Sequence, residues 1–102
     1  MIKLALFARL EAKPGKEEAV ASFLQAGLQM ARDETTTPIW FALRLAPGTF
    51  GIFDAFENQQ GVDAHLSGPI AQALMAKADE LLAKPPSIER IDVLGLKNVR
   101  PS

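Results

Sequence analysis

The chain has no cysteine and no tyrosine, and only one histidine and one tryptophan, among its 102 residues. Without cysteine there is no disulfide framework and no thiolate metal site. Without tyrosine no phenolic side chain can orient a substrate, so acid–base chemistry near neutral pH falls to His65 or to carboxylates. An excess of one charge is also missing. Eleven Lys and Arg against twelve Asp and Glu leave a net charge of −1, and the basic residues are scattered rather than gathered into a stripe that could follow a phosphate backbone. Nucleic acid is not an expected partner. Apolar runs such as Leu4 to Ala8 and Ile39 to Leu43 are far shorter than the roughly 20 residues of a membrane helix, and no cleavable signal pattern opens the chain. The expectation is a cytoplasmic protein with no membrane partner.

What is present reads as one globular domain over residues 1–102, because 48% hydrophobic and 23% charged residues are ordinary for a folded core and the length leaves no material for a second one. Residues 2–11 alternate with period two and predict a first strand. Lys13-Pro14-Gly15 ends it. Glu17 and Glu18 then suit the positive end of a helix dipole, and Val20, Phe23, Leu24, Gly27, Leu28 and Ala31 recur at helical spacing, predicting a helix from about Gly15 to Asp33. Gly27 on its inner face suggests that the helix approaches the sheet closely.

Beyond the breaker Thr35-Thr36-Thr37-Pro38, two β-rich segments flank Ala46-Pro47-Gly48-Thr49, read as a hairpin turn. With Leu45 opposite Phe50, Phe41 pairs with Asp54 and Ile39 with Phe56 on one face, while Trp40, Ala42, Phe53 and Ala55 take the other. Asn58 is a good N-cap for a short helix ending at Leu66, and Ser67-Gly68-Pro69 restarts a second helical piece with proline at its first position. Lys84-Pro85-Pro86 stops that piece before a last strand from about Ser87 to Leu96. The fold class is α+β: a ferredoxin-like βαββαβ order with a four-stranded antiparallel sheet.

Two helices cover one face of such a sheet, yet both faces read as apolar. A homodimer pairing the uncovered faces through Phe7, Trp40, Phe53 and Val93 is the simplest cover, since twofold pairing is the commonest oligomer.

Asp54 lies mid-strand in an apolar row, where an ionised carboxylate needs a partner. His65, at the end of the short helix returning over the sheet, is the natural one. The bland reading is a polar pair that only anchors helix to sheet. Lys13-Pro14-Gly15-Lys16-Glu17-Glu18 at a helix start, with Asp54, Phe56 and His65 at offsets of two and nine, resembles the antibiotic biosynthesis monooxygenase domain family over nearly the whole chain. The resemblance implies a dimeric α+β barrel with a pocket between helices and sheet. It also implies, for some members, oxygenation of small aromatic or quinol-like compounds without metal or flavin. Here Phe56 stands where the family commonly has Trp, which keeps an aromatic wall without its N–H donor.

On that reading His65 and Asp54 are the catalytic pair, and Phe41, Phe56, Ile70, Leu74 and Met75 line a pocket for a small hydrophobic or aromatic ligand. Neither a cofactor nor a metal is expected. Met75 could ligate iron in principle, but a helical methionine is more often a core filler, and Arg9, Arg44, Glu57, Arg90 and Asp92 read as rim charges. Three functions stay open: a cofactor-independent monooxygenase in which His65, oriented by Asp54, deprotonates a phenol or enol; an isomerase or other proton-transfer enzyme for a small carbonyl compound; and a non-catalytic binding or stress-response module.

Overall fold

The computed structural model describes residues 1–97. Its elements run β1 (Leu4–Glu11), α1 (Glu17–Asp33), β2 (Ile39–Ala46), β3 (Thr49–Phe56), α2 (Gln59–Leu66), α3 (Pro69–Leu81) and β4 (Ser87–Asp92). The four strands form one antiparallel sheet in the order β2-β3-β1-β4. This is the expected ferredoxin-like order, with the second helix split in two. No helix among the described residues is long and apolar enough to cross a membrane.

The break between α2 and α3 has a local cause. Asn58 caps α2 by accepting from the Gly61 N–H at 2.9 Å, and Pro69 opens α3 at a position where its missing N–H is not needed. β4 ends earlier than the expected Leu96. Its neighbour β1 begins at Leu4, opposite Asp92, and after one further bond from the Val93 N–H to the Lys3 carbonyl the strand runs out of edge to pair with.

The helix-covered face carries Leu6 and Leu10 of β1 and Phe50, Ile52, Asp54 and Phe56 of β3, all buried. Val20, Leu24, Gly27 and Ala31 of α1, spaced by one or two turns, pack onto it. Ile70, Leu74, Ala78 and Leu81 form the matching stripe of α3. The opposite face has no helix from its own chain. Phe7 and Phe53 face each other across β1 and β3, Phe41 lies beside Phe53 with ring centroids 6.3 Å apart, and Phe41 is 54% exposed.

The expected register of the β2–β3 hairpin is wrong by one residue. Only Pro47 and Gly48 separate the strands, Ala46 pairs with Thr49, and Leu45 is left between two ladder pairs, so that Arg44 already opposes Phe50. A one-residue bulge turns over every side chain beyond it. Trp40 therefore opposes Asp54 on the helix-covered face and Phe41 opposes Phe53 on the uncovered one, the reverse of the expectation for both. Trp40 leaves the set of uncovered-face residues; Phe7, Phe53 and, by alternation from Ile91, Val93 remain in it.

Gly27 lies against Trp40, but a Cβ added there would meet the indole at 3.6 Å, an ordinary contact. The close approach expected at Gly27 does not require glycine. Gly61 is different: a Cβ there would stand 2.9 Å from the Thr36 carbonyl oxygen and 3.4 Å from the Phe56 ring, so α2 can lie on the Glu34–Thr37 turn only without a side chain at that position. Gly27→Ala is expected to raise stability in urea unfolding by about 0.5–1 kcal/mol, the ordinary helix-interior gain. Gly61→Ala should lose about 1–3 kcal/mol, the range for overpacking. Equal and small effects at the two sites would contradict this packing.

Candidate functional site

Asp54 is the antepenultimate residue of β3, on the helix-covered face, and is 2% exposed. Two residues later the strand ends, and the Asn58 cap turns α2 back across it. One α2 residue thereby lands over Asp54: His65, 6% exposed, with its ring tilted against Phe56 at a centroid distance of 5.5 Å. The His65 Nε2 lies 2.8 Å from the Asp54 Oδ2. The structure thus brings together the mid-strand carboxylate and the single histidine expected to partner it.

The other ring nitrogen has a partner that the sequence did not suggest. Glu34 is the residue after the last turn of α1, in extended conformation, with its N–H donating to the Ala31 carbonyl at 3.1 Å. Its Oε1 lies 2.7 Å from the His65 Nδ1 and accepts from the Thr37 hydroxyl at 3.0 Å. In a run of polar residues, Glu34 reads as a solvated loop carboxylate. A weak signal was available, since a carboxylate directly before a Thr-Thr-Thr-Pro turn enters a segment able to fold it inward.

Three elements thus converge on one imidazole. Ionised carboxylates only accept hydrogen bonds, so an imidazole between two of them must donate from both nitrogens and carry a positive charge. Burial is the largest single influence on His65 and opposes that charge. The hydrogen bonds and negative charges of Asp54 and Glu34 together outweigh it, holding the histidine pKa above its ordinary 6.5. Both ring nitrogens of His65 are engaged by carboxylate oxygens, and the pairing favours the imidazolium form. This changes the expected role of His65 as the base that meets substrate.

The expected pocket residues do not form one lining. Phe56 is fully buried with Leu6 and Val62. Leu74 belongs to the second cluster, with Leu10, Val20 and Phe50, and Ile70 is buried on the same stripe of α3. Met75 is 59% exposed, because one position beyond Leu74 a helix has turned about 100° away from the core. Phe41 lies on the uncovered face. Next to the triad there is instead a groove of about 290 Å³ bordered by Leu28, Ala31, Glu34, Thr37, Pro38 and Trp40, among others. Two atoms of its bordering residues are buried without a hydrogen-bond partner, the Glu34 Oε2 and the Trp40 Nε1.

No family model matches the chain, and no curated protein does. Solved structures do. A protein of unknown function from Nitrosomonas europaea, NE2512, is 53% identical over 99% of this chain and 98% of its own, with a TM-score of 0.96. A candidate antibiotic biosynthesis monooxygenase from Nitrosomonas europaea superposes with a TM-score of 0.80 at 16% identity, covering 90% of each chain. Another, from Chloroflexus aurantiacus J-10-fl, has a TM-score of 0.74 at 19% identity and covers 96% of this chain and 99% of that one. At these identities the last two likenesses establish a common fold.

The raised His65 pKa fixes a sign for stability. Its contribution is complete below the unfolded value of about 6.5 and is lost as pH rises through the higher folded value. Stability measured by urea unfolding should therefore decline on the alkaline side of about pH 6.5, and the decline should vanish in His65→Gln. Asp54→Asn, which leaves the buried cation with one carboxylate, should lower stability by about 3 kcal/mol and lower the histidine pKa seen by NMR. A histidine titrating below about 6.5 in the unaltered protein would contradict the triad.

Proposed function

We propose that this chain, which belongs to the family of the Nitrosomonas europaea NE2512 protein and has the fold of the antibiotic biosynthesis monooxygenases, is a cofactor-independent oxygenase for a small enolisable or phenolic substrate. One observation carries the reading: the buried His65 ring holds Glu34 by one oxygen and leaves the other without a partner, on a residue that borders a groove. In this assignment Glu34 is the group that meets substrate. His65 and Asp54 act behind it as positioning residues, His65 fixing the carboxylate and Asp54 fixing His65.

The proton and electron balance needs no further reductant. Glu34 takes a proton from an activated methylene, and the carbanion so formed, delocalised over its ring or carbonyl, bonds to dioxygen. The peroxide anion recovers the proton from Glu34 to give a hydroperoxide. Glu34 then takes the remaining proton on that carbon as the O–O bond breaks, a carbonyl forms, and the departing hydroxide takes the proton as water. The sum is CH2 plus O2 giving C=O plus H2O, with every electron supplied by the substrate carbon.

A second reading has its own support. Both nitrogens of His65 are engaged and the ring is buried, which suits a structural pin tying α2 and the Glu34–Thr37 turn to the sheet, with the groove only holding a ligand. The same chain is proposed to work as a homodimer, paired through the uncovered face around Phe7, Phe41 and Phe53, because these rings form a row across three adjacent strands with no cover of their own.

Oxygen consumption with a panel of anthrone-like and 1,3-dicarbonyl compounds tests the oxygenase. Uptake is expected to match carbonyl formation one for one and to fall about 100-fold or more in Glu34→Gln, the lower range for a lost acid–base group. Solvent deuterium entering substrate without oxygen uptake would replace oxygenation by isomerisation, and ligand binding with neither would leave the binding module. For the dimer, sedimentation at micromolar concentration should give twice the chain mass, and Phe53→Glu should give a folded monomer. A monomeric unaltered protein would contradict the pairing.

A further inference from the structure

The segment after β4 is apolar and leaves the sheet uncovered. β1 offers no edge beyond the bond from the Val93 N–H to the Lys3 carbonyl, and residues 94–97 run on without regular structure, with Leu94 99% and Leu96 55% exposed. Two leucines two positions apart take the same side of an extended segment. A trench of about 800 Å³, bordered by Lys3, Pro38, Ile39 and Glu57 among others, separates this tail from the end of its own sheet.

A second surface lacks a cover at the opposite edge. β2 is an edge strand, and its residues 39–43, Ile-Trp-Phe-Ala-Leu, hold none of the charges or prolines that usually guard such an edge. Beside the start of β2 lies the groove of about 290 Å³, with Leu28, Ala31, Pro38 and Trp40 as its apolar border and Arg32 and Glu34 as its charged one. Leu28 is 40% exposed. Arg32 makes no ion pair among the described residues, and neither does Asp92 at the root of the tail.

The topology brings these two surfaces together between copies. β4 is antiparallel to β2, and Asp92 and Ile39 both lie at the sheet end marked by Leu4 and Ala5 of β1. A twofold axis along the strands, pairing the uncovered faces, keeps strand direction and level while exchanging the two edges. β4 of one copy then lies over β2 of the other, and its tail emerges beside the groove. Ile88, Arg90 and Asp92 oppose Ala8, Leu6 and Leu4 on the helix-covered side. Leu94 and Leu96 continue that row, toward the side on which Trp40 borders the groove.

We infer that residues 93–97 form an arm that seats Leu94 and Leu96 in the groove of a second copy, beside the start of its β2, so that each groove is completed by the other chain. The inference rests on the proposed homodimer and deepens it, by making the candidate site a product of both chains. A second copy is favoured over an unrelated protein because every chain carries one arm and one groove at matching ends, which a closed twofold pair satisfies together. The pairing also brings Asp92 of the arm toward the opposite charge of Arg32.

With no cysteine in the chain, introduced thiols report this contact without background. The double variant Leu28→Cys, Leu94→Cys, treated with a short bismaleimide at micromolar concentration, should give a covalent dimer on a denaturing gel. Each single variant should stay uncoupled, as should Met75→Cys, Leu94→Cys, in which the first thiol is exposed on α3. Both leucines of the arm are exposed within their own chain, so Leu94→Asp, Leu96→Asp should leave the circular dichroism unchanged. It should raise the dimer Kd about 100-fold or more, a modest share of what burying the leucines of two arms supplies. Coupling of Leu28→Cys to Leu94→Cys at the monomer mass would overturn the inference, as would equal coupling through Met75→Cys or an unchanged Kd. A dimer in sedimentation without the expected coupling keeps the face pairing and removes the arm. A monomeric unaltered protein removes both.

Discussion

A buried imidazole held between a buried and a half-buried carboxyl group organises this molecule. An isolated imidazolium in the core would be driven to lose its proton. Here Asp54 at 2.8 Å and Glu34 at 2.7 Å make the charged form the stable one, and the arrangement can exist only if β3, α2 and the turn after α1 are all in place. The geometry of the surrounding segments follows from that requirement. α2 must be short and capped at Asn58 to bring His65 over the strand, and Gly61 must lack a side chain for α2 to reach the Thr36 backbone. Glu34 must leave the helix in an extended conformation to turn inward. Replacing the three by apolar residues could give an equally stable core, so packing alone does not call for them, and the proposed function gives them a use.

That use turns on an asymmetry between the two carboxylates. Asp54 belongs to a central strand and is the more deeply buried. Glu34 belongs to a turn, shares its Oε1 between His65 and Thr37, and has an Oε2 with nothing to accept from. In the proposed assignment Glu34 is therefore the base, and the histidine expected in that role is the group that holds it. The fold is shared with structures described as antibiotic biosynthesis monooxygenases, but a fold hosts many activities, and the residues around Glu34 carry the proposed function.

Much of this architecture was legible from residue patterns. Strand alternation in β1, the Asn58 cap and the Gly68-Pro69 restart each have a strong local cause, and each element appears where its pattern places it, within a few residues. Asp54 and His65 were legible as a pair because a mid-strand carboxylate in an apolar row demands a partner and the chain has one histidine. The β2 register was not. Both faces of that strand are apolar, so alternation could not choose between them, and the choice fell to a bulge at Leu45 that leaves no mark in composition. Trp40 and Phe41 exchanged faces as a result, and the groove moved with Trp40. Glu34 escaped notice because burial of a loop carboxylate is a tertiary effect, created by a histidine 31 positions later. Met75 was misplaced by one step along a helix whose inward stripe runs through Leu74.

The central claim is the charge state of His65, and the ring nitrogens report it directly. In a ¹⁵N-labelled sample at neutral pH, long-range ¹H–¹⁵N correlation of this single histidine should show both nitrogens protonated, with chemical shifts close to each other in the imidazolium range. Slowly exchanging N–H protons should be visible on each. A pair of widely separated nitrogen shifts, one protonated and one bare, would mean a neutral ring with a free acceptor, and would return His65 to the role of base and Glu34 to that of bystander.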